Sequence, residues 1–184
     1  PLRVFPGSAT GSLRLPIQET PESPVDDPGT WADVDRFGAD PAGKRDSAAS
    51  FQRAIDSGAT TLFVPGSYNL RSTVVIRGKV RRIVGLGGSI NYGVGIQPDL
   101  RLAEGDEPTV WIEHLSHVDG GMEVDTRRTL VMRSVSDCDL TFTTKAEGGV
   151  VFMDDVVAVH HVLAEEVPPT SVEGDLGHRL QLDH

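Results

Sequence analysis

The stretch from Trp31 to Leu86 constrains the fold of this 184-residue chain more than any other part, because it fixes a turn, one helix, a second turn and a first short strand in order. Asp46 stands where a side-chain oxygen can accept the orphan amides of a helix beginning at Ser47. Ala48, Phe51, Ala54 and Ile55 then recur at three- and four-residue steps and line one face, and Gly58 ends the run. A short amphipathic helix is therefore expected over about 47–57. From Thr61 onward the text breaks into β-rich pieces at 61–64, 73–76, 80–84, 109–112, 129–133, 138–143, 149–153 and 156–162, with Gly, Pro, Asp or Asn between most of them. One helix ahead of many short strands suits a stack of strands whose open end the helix covers.

Composition agrees with a stack. Apolar residues make up 38% and aromatics only 5%, while Gly numbers 20 and Pro 12, a balance that favours turns between short strands packed on Val, Leu and Ile.

The order of local signals resembles one known family. Phe37, Gly38, Ala39 and Asp40, the acidic helix start at Asp46, the helix through Phe51, Gln52, Ala54 and Ile55, and the turn Phe63, Val64, Pro65, Gly66, Ser67, Tyr68 are similar to the opening of the pectate-lyase superfamily. The similarity is to the branch with rhamnogalacturonase-like and epimerase-like modules and the tandem β-helices of exo-β-1,3-glucanases. A usual second acid is replaced by Ser47, and a usual Pro-Pro-Gly turn is reduced to Pro65 and Gly66. The resemblance implies an all-β fold, a single-stranded right-handed parallel β-helix (solenoid) with an N-terminal capping α-helix. Strand spacing then gives about four coils of roughly 20 to 30 residues each.

Three segments follow from this reading. Residues 1–30 carry Pro1, Pro6, Pro16, Pro21, Pro24 and Pro28 and are expected as an extended Pro-rich linker or strap. Residues 31–163 hold the β-helix with its cap. Residues 164–184, with Pro168, Pro169, Gly174 and Gly177, are expected as an irregular C-terminal tail. The chain opens on Pro1, and the resemblance implies one module of a longer polypeptide with an upstream or downstream β-helix domain.

The net charge of −10 opposes nucleic-acid backbones, and the one basic cluster, Arg77, Lys79, Arg81 and Arg82, reads as solvated residues around a turn. No run is long enough to span a bilayer. The single cysteine, Cys138, excludes an intrachain disulfide and reads as a small buried residue.

Sites are less defined. Gly38, Gly43, Lys44 and Arg45 approach a phosphate-binding loop, but Arg45 stands where a magnesium-binding hydroxyl belongs. Gly85 to Gly95 is a second Gly-rich loop without dinucleotide spacing. His114, His117 and Asp119, with His160 and His161, do not complete a metal-ligand set, so no metal or cofactor is expected from the residues themselves. By resemblance, carbohydrate cleavage would need a carboxylate pair, or a base beside Ca2+ held by acids. The candidate catalytic residues are Asp137, Asp139 and Asp154, where coil stacking would align Asp137 or Asp139 with Asp154. Trp111 and Tyr92 are candidate sugar-stacking residues, while Trp31 is expected against the cap helix and Trp111 against the coil wall. The expectation is a carbohydrate-associated module of polysaccharide lyase or glycoside hydrolase type, extracellular by resemblance, with a polysaccharide or glycan as partner and little turnover by this chain alone. The rival is a non-catalytic structural or glycan-binding scaffold of adhesin or tailspike type.

Overall fold

The computed structural model describes residues 18–92, 100–144, 149–158 and 179–182. Its elements are β1 (Ala32–Asp33), β2 (Ala42–Asp46), α1 (Ala48–Asp56), β3 (Thr61–Phe63), β4 (Ser67–Leu70), β5 (Val74–Gly78), β6 (Arg82–Tyr92), β7 (Leu100–Gly105), β8 (Thr109–Val124), β9 (Thr129–Thr144), β10 (Val150–Ala158) and β11 (Arg179–Leu182). Two 3₁₀ turns, Pro28–Thr30 and Val34–Phe37, lead into and out of β1. The strand pairings among the described residues are parallel, and the chain winds as a β-solenoid of about 4 turns. The fold is an all-β parallel β-helix with one helix, as expected.

Register shows how the coils stack. Thr61, Arg82, Trp111, Val131, Phe152 and Gln181 are successive partners along one wall. Strand side chains alternate, so the adjacent column of Leu62, Ile83, Ile112 and Met132 points into the solenoid, and all four are buried. A second wall holds β2, β4 and the later parts of β6, β8 and β9, with Tyr68, Ile90 and Val118 as buried partners. The third wall holds β5, β7 and the end of β8, where Val74, Leu100 and Met122 stack inward.

The first corner is made by left-handed backbone inside continuous strands. Leu86, His114, Ser134 and Asp155 adopt left-handed backbone with φ of 48°, 55°, 52° and 53°. His114, Ser134 and Asp155 each follow directly on the register partners Glu113, Arg133 and Asp154. A left-handed residue thus bends each coil, joined by Gly87 with φ of 99° in β6, while strand pairing continues on both sides. This is why β8 and β9 are longer than the pieces expected from the sequence.

The N-terminal end is closed by a modified coil. β1 pairs with β3 and β2 with β4, but on the third wall α1 takes the place of a strand. The Gln52 side-chain amide substitutes for strand backbone there: its Oε1 accepts the Val75 N–H at 2.9 Å and its Nε2 donates to the Val75 carbonyl at 3.2 Å. Ala48, Phe51, Ala54 and Ile55 join the core, and Phe51 meets Tyr68 edge-on at 5.3 Å between ring centres. Ser47 is the N-cap position but makes no side-chain capping bond; Asp46 supplies the oxygen instead, accepting the Ala48 amide at 3.0 Å and the Arg71 amide at 2.9 Å.

The third corner is held by Arg128, a buried guanidinium 4% exposed. It donates to the carbonyls of Val80 at 2.7 Å, Ala103 at 3.2 Å and Glu107 at 2.7 Å, and so joins three successive coils. Burial pulls its pKa below the ordinary arginine value, opposed by Glu104, Glu107 and Asp106 nearby. The guanidinium stays charged. Gly105 must be glycine beside it, since a Cβ there would lie 2.7 Å from the Gly78 carbonyl and 2.8 Å from the Arg128 guanidinium carbon.

Within residues 164–184, Arg179–Leu182 form β11 in register with β10; the rest of that segment and residues 1–17 lie outside the described residues.

Two stability outcomes follow. Arg128→Met should lower unfolding free energy by about 3 kcal/mol, because it leaves the carbonyls of Val80, Ala103 and Glu107, in the two preceding coils, without their donor. Phe51→Ala should cost about 4 kcal/mol and Gln52→Ala only about 1 kcal/mol, since the freed Val75 groups lie near solvent. Urea unfolding followed by circular dichroism measures all three, and equal losses for Phe51→Ala and Gln52→Ala would remove the cap assignment.

Candidate functional site

Residues 18–27 form no helix or strand and lie as a strap across the outside of the first wall. Asp26 accepts a hydrogen bond from the Thr61 hydroxyl at 2.6 Å and pairs with Arg81. Ser23 donates to Glu113 Oε2 at 2.7 Å. The Pro21 carbonyl accepts from the Trp111 indole at 3.3 Å and from Arg133 at 3.4 Å. Its partners belong to successive coils, so the strap crosses the strands instead of pairing with one. Prolines suit such a path, since they have no amide to leave unpaired.

Beneath the strap the wall carries charge in register. Glu113, Arg133 and Asp154 are successive partners, an acid, a base and an acid one coil apart. Arg133 Nε lies 2.8 Å from Asp154 Oδ2, and Arg82 Nε lies 2.7 Å from Glu113 Oε2. Glu113 is 1% exposed, so the Arg82 and Ser23 bonds offset the cost of burying its charge. Arg82 also sits over the Trp31 ring, 5.4 Å from its centre. Between strap and wall lies an open cavity of about 240 Å³, with Ser23, Pro24 and Asp26 on the strap side and Arg82, Glu113, Arg133 and His114 on the wall.

The residues singled out from sequence are dispersed by this geometry. Asp154 stands opposite Arg133 and is bound to it, while the Asp139 backbone stands opposite Asp119 in the second wall. The side chains of Asp137, Asp139, Cys138, Tyr92, His117 and Asp119 lie outside the described part of the structure, as do His160 and His161. Trp111 is half-buried on the outer wall with its indole N–H on the strap. Trp31 packs on Phe63, with ring centres 5.7 Å apart, and not on the cap helix as expected. His114 occupies an exposed corner.

The phosphate-loop resemblance is accounted for internally. Asp40 accepts the amides of Ala42 at 3.3 Å, Lys44 at 3.1 Å and Arg45 at 2.9 Å, so a carboxylate of the chain itself already occupies that nest of donors. The basic cluster is likewise divided. Arg77 pairs with Asp56 at 2.8 Å, Arg81 with Asp26 and Arg82 with Glu113. Among the described residues no group of three His, Cys, Asp or Glu side chains is arranged to hold a metal ion, and no helix is long and apolar enough to cross a membrane.

Sequence reasoning did not single out Glu113, Arg133, Ser23 or Asp26. A signal existed: Glu113, Arg133 and Asp154 alternate in sign at one coil's spacing, but it becomes visible only once coil length is known. No family model, curated protein or solved structure matches the chain.

Asp26 makes two of the bonds that fix the strap to the wall. Burial alone would raise its pKa, but the Thr61 and Arg81 hydrogen bonds and the Arg81 and Arg82 charges hold it below the ordinary 3.8. A depressed aspartate contributes stability that is complete above its unfolded value and lost as pH falls through the folded one, so its share of strap docking disappears only below pH 3.8. At pH 7, Asp26→Ala should free the strap with the coils intact: tryptophan emission shifts to the red and protease cuts within 18–27, while the far-ultraviolet dichroism of the coils is retained. Unchanged emission and protease resistance would show that Asp26 does not hold it.

Proposed function

We propose that this chain is a carbohydrate-associated β-helix module of the pectate-lyase superfamily type that holds a glycan without cleaving it. The observation that carries the non-catalytic part is the engagement of the acids on the first wall: Asp154 is bound by Arg133, and Glu113 by Arg82 and Ser23. Glycoside hydrolysis needs one carboxyl held as an acid and a second free to act as base or nucleophile. Proton abstraction in a lyase needs an unengaged base within reach of the carbon acid. Each of these two carboxylates keeps a fixed guanidinium partner, an arrangement that favours holding a ligand over acid–base work. The carbohydrate part is supported by the resemblance of Phe37 to Asp40, of the helix through Gln52 and of the Phe63 to Tyr68 turn, together with the parallel coils that follow them. In this reading the module works outside the cell, beside a further β-helix domain.

The test is turnover on pectic and β-glucan substrates, with and without Ca2+, read as unsaturated-product absorbance and reducing-sugar release. The expected result is no turnover above a heat-denatured control. Robust turnover that is lost in Asp139→Asn or Asp154→Asn would replace this reading with an enzymatic one.

A further inference from the structure

We propose that the cavity beneath the strap is a binding site for a single uncharged polyhydroxylated ring, a neutral pyranose or cyclitol. It rests on the non-catalytic reading only in that the ligand is held unchanged. Both bonds to Glu113, from Ser23 and from Arg82, fall on Oε2, so Oε1 is the oxygen left to a ligand. Arg133 uses Nε on Asp154 and Nη2 on the Pro21 carbonyl, which leaves Nη1 as a donor. His114 adds an exposed imidazole at the rim, held there by its left-handed backbone.

The charges on the lining balance: Arg82 and Arg133 against Glu113 and Asp26. A lining with no net charge that offers a buried carboxylate acceptor beside guanidinium donors suits hydroxyl groups, which donate and accept at once. A free anion or cation would leave one partner uncompensated in a partly desolvated site. At about 240 Å³ the cavity lies below the usual span of small-molecule pockets, so it fits one ring and not a chain of them. Pro24 on the strap side supplies an apolar surface of the kind that the C–H face of such a ring covers.

The experiment is ligand-observed NMR titration of the whole chain with D-glucose, D-galactose and myo-inositol as neutral probes, and with D-glucosamine and D-galacturonate as charged ones. At least one neutral probe should bind saturably and in preference to both charged ones. His114→Gly, a residue that accepts the corner's positive φ, should weaken that binding while leaving the dichroism spectrum unchanged. Glu113→Gln leaves the lining with a net positive charge and should move preference to D-galacturonate by about tenfold or more. Three results would overturn the proposal: no saturable binding of any neutral probe, preference of the unaltered protein for a charged probe, or neutral binding unchanged in both variants. Each concerns binding alone and is separate from the turnover assay, so loss of this site would leave the non-catalytic reading standing.

Discussion

Parallel strand pairing gives every coil of this protein two edges of unpaired N–H and C=O groups, and each edge needs a partner. Inside the stack the next coil supplies it. At the N-terminal end β1 and β2 do so on two walls, and on the third a single side-chain amide, Gln52, bonds the carbonyl and N–H of Val75 as a strand would. The helix that carries Gln52 also covers the open core with Phe51 and Ile55. One short element therefore satisfies both demands of a solenoid end, polar pairing and apolar cover. The aligned columns of Leu62, Ile83, Ile112 and Met132 depend on that first coil being in place.

Much of this was legible in the residues. The helix is visible because its apolar spacing is local, and its start because Asp46 sits where an amide needs an oxygen. The starts of β3, β6, β8, β9 and β10 are visible as β-branched runs after turn residues. The first-wall corners are not, because the same left-handed position is filled by four different residue types, Leu86, His114, Ser134 and Asp155, and of these only His and Asp are common in that conformation. Glycine and proline punctuation predicts where a coil ends more reliably than where it bends. Arg128 was hidden for a related reason: a lone arginine in sequence reads as exposed, and its three carbonyl partners lie in earlier coils.

The candidate site was harder to read because its chemistry belongs to register. Glu113, Arg133 and Asp154 are unremarkable singly and become an alternating column only when coils of unequal length are aligned. Coil stacking was expected to align Asp137 or Asp139 with Asp154, yet the register sets Asp154 against Arg133 and the Asp139 backbone against Asp119. The strap adds a second layer that composition hints at through its prolines but cannot locate.

That strap has a mechanical meaning. Pro21 lies 112 residues before Arg133 in the chain, and its carbonyl touches both Arg133 and Trp111, while Asp26 a few residues later is fixed to Thr61 and Arg81. It therefore acts as a tie running along the axis of the stack, at right angles to the ladders that join one coil to the next. A load that peels the fourth coil from the third would have to extend this tie as well as break the strand pairing. The strap can close only after the coils it spans have stacked, so its docked state records that the stack beneath it is complete.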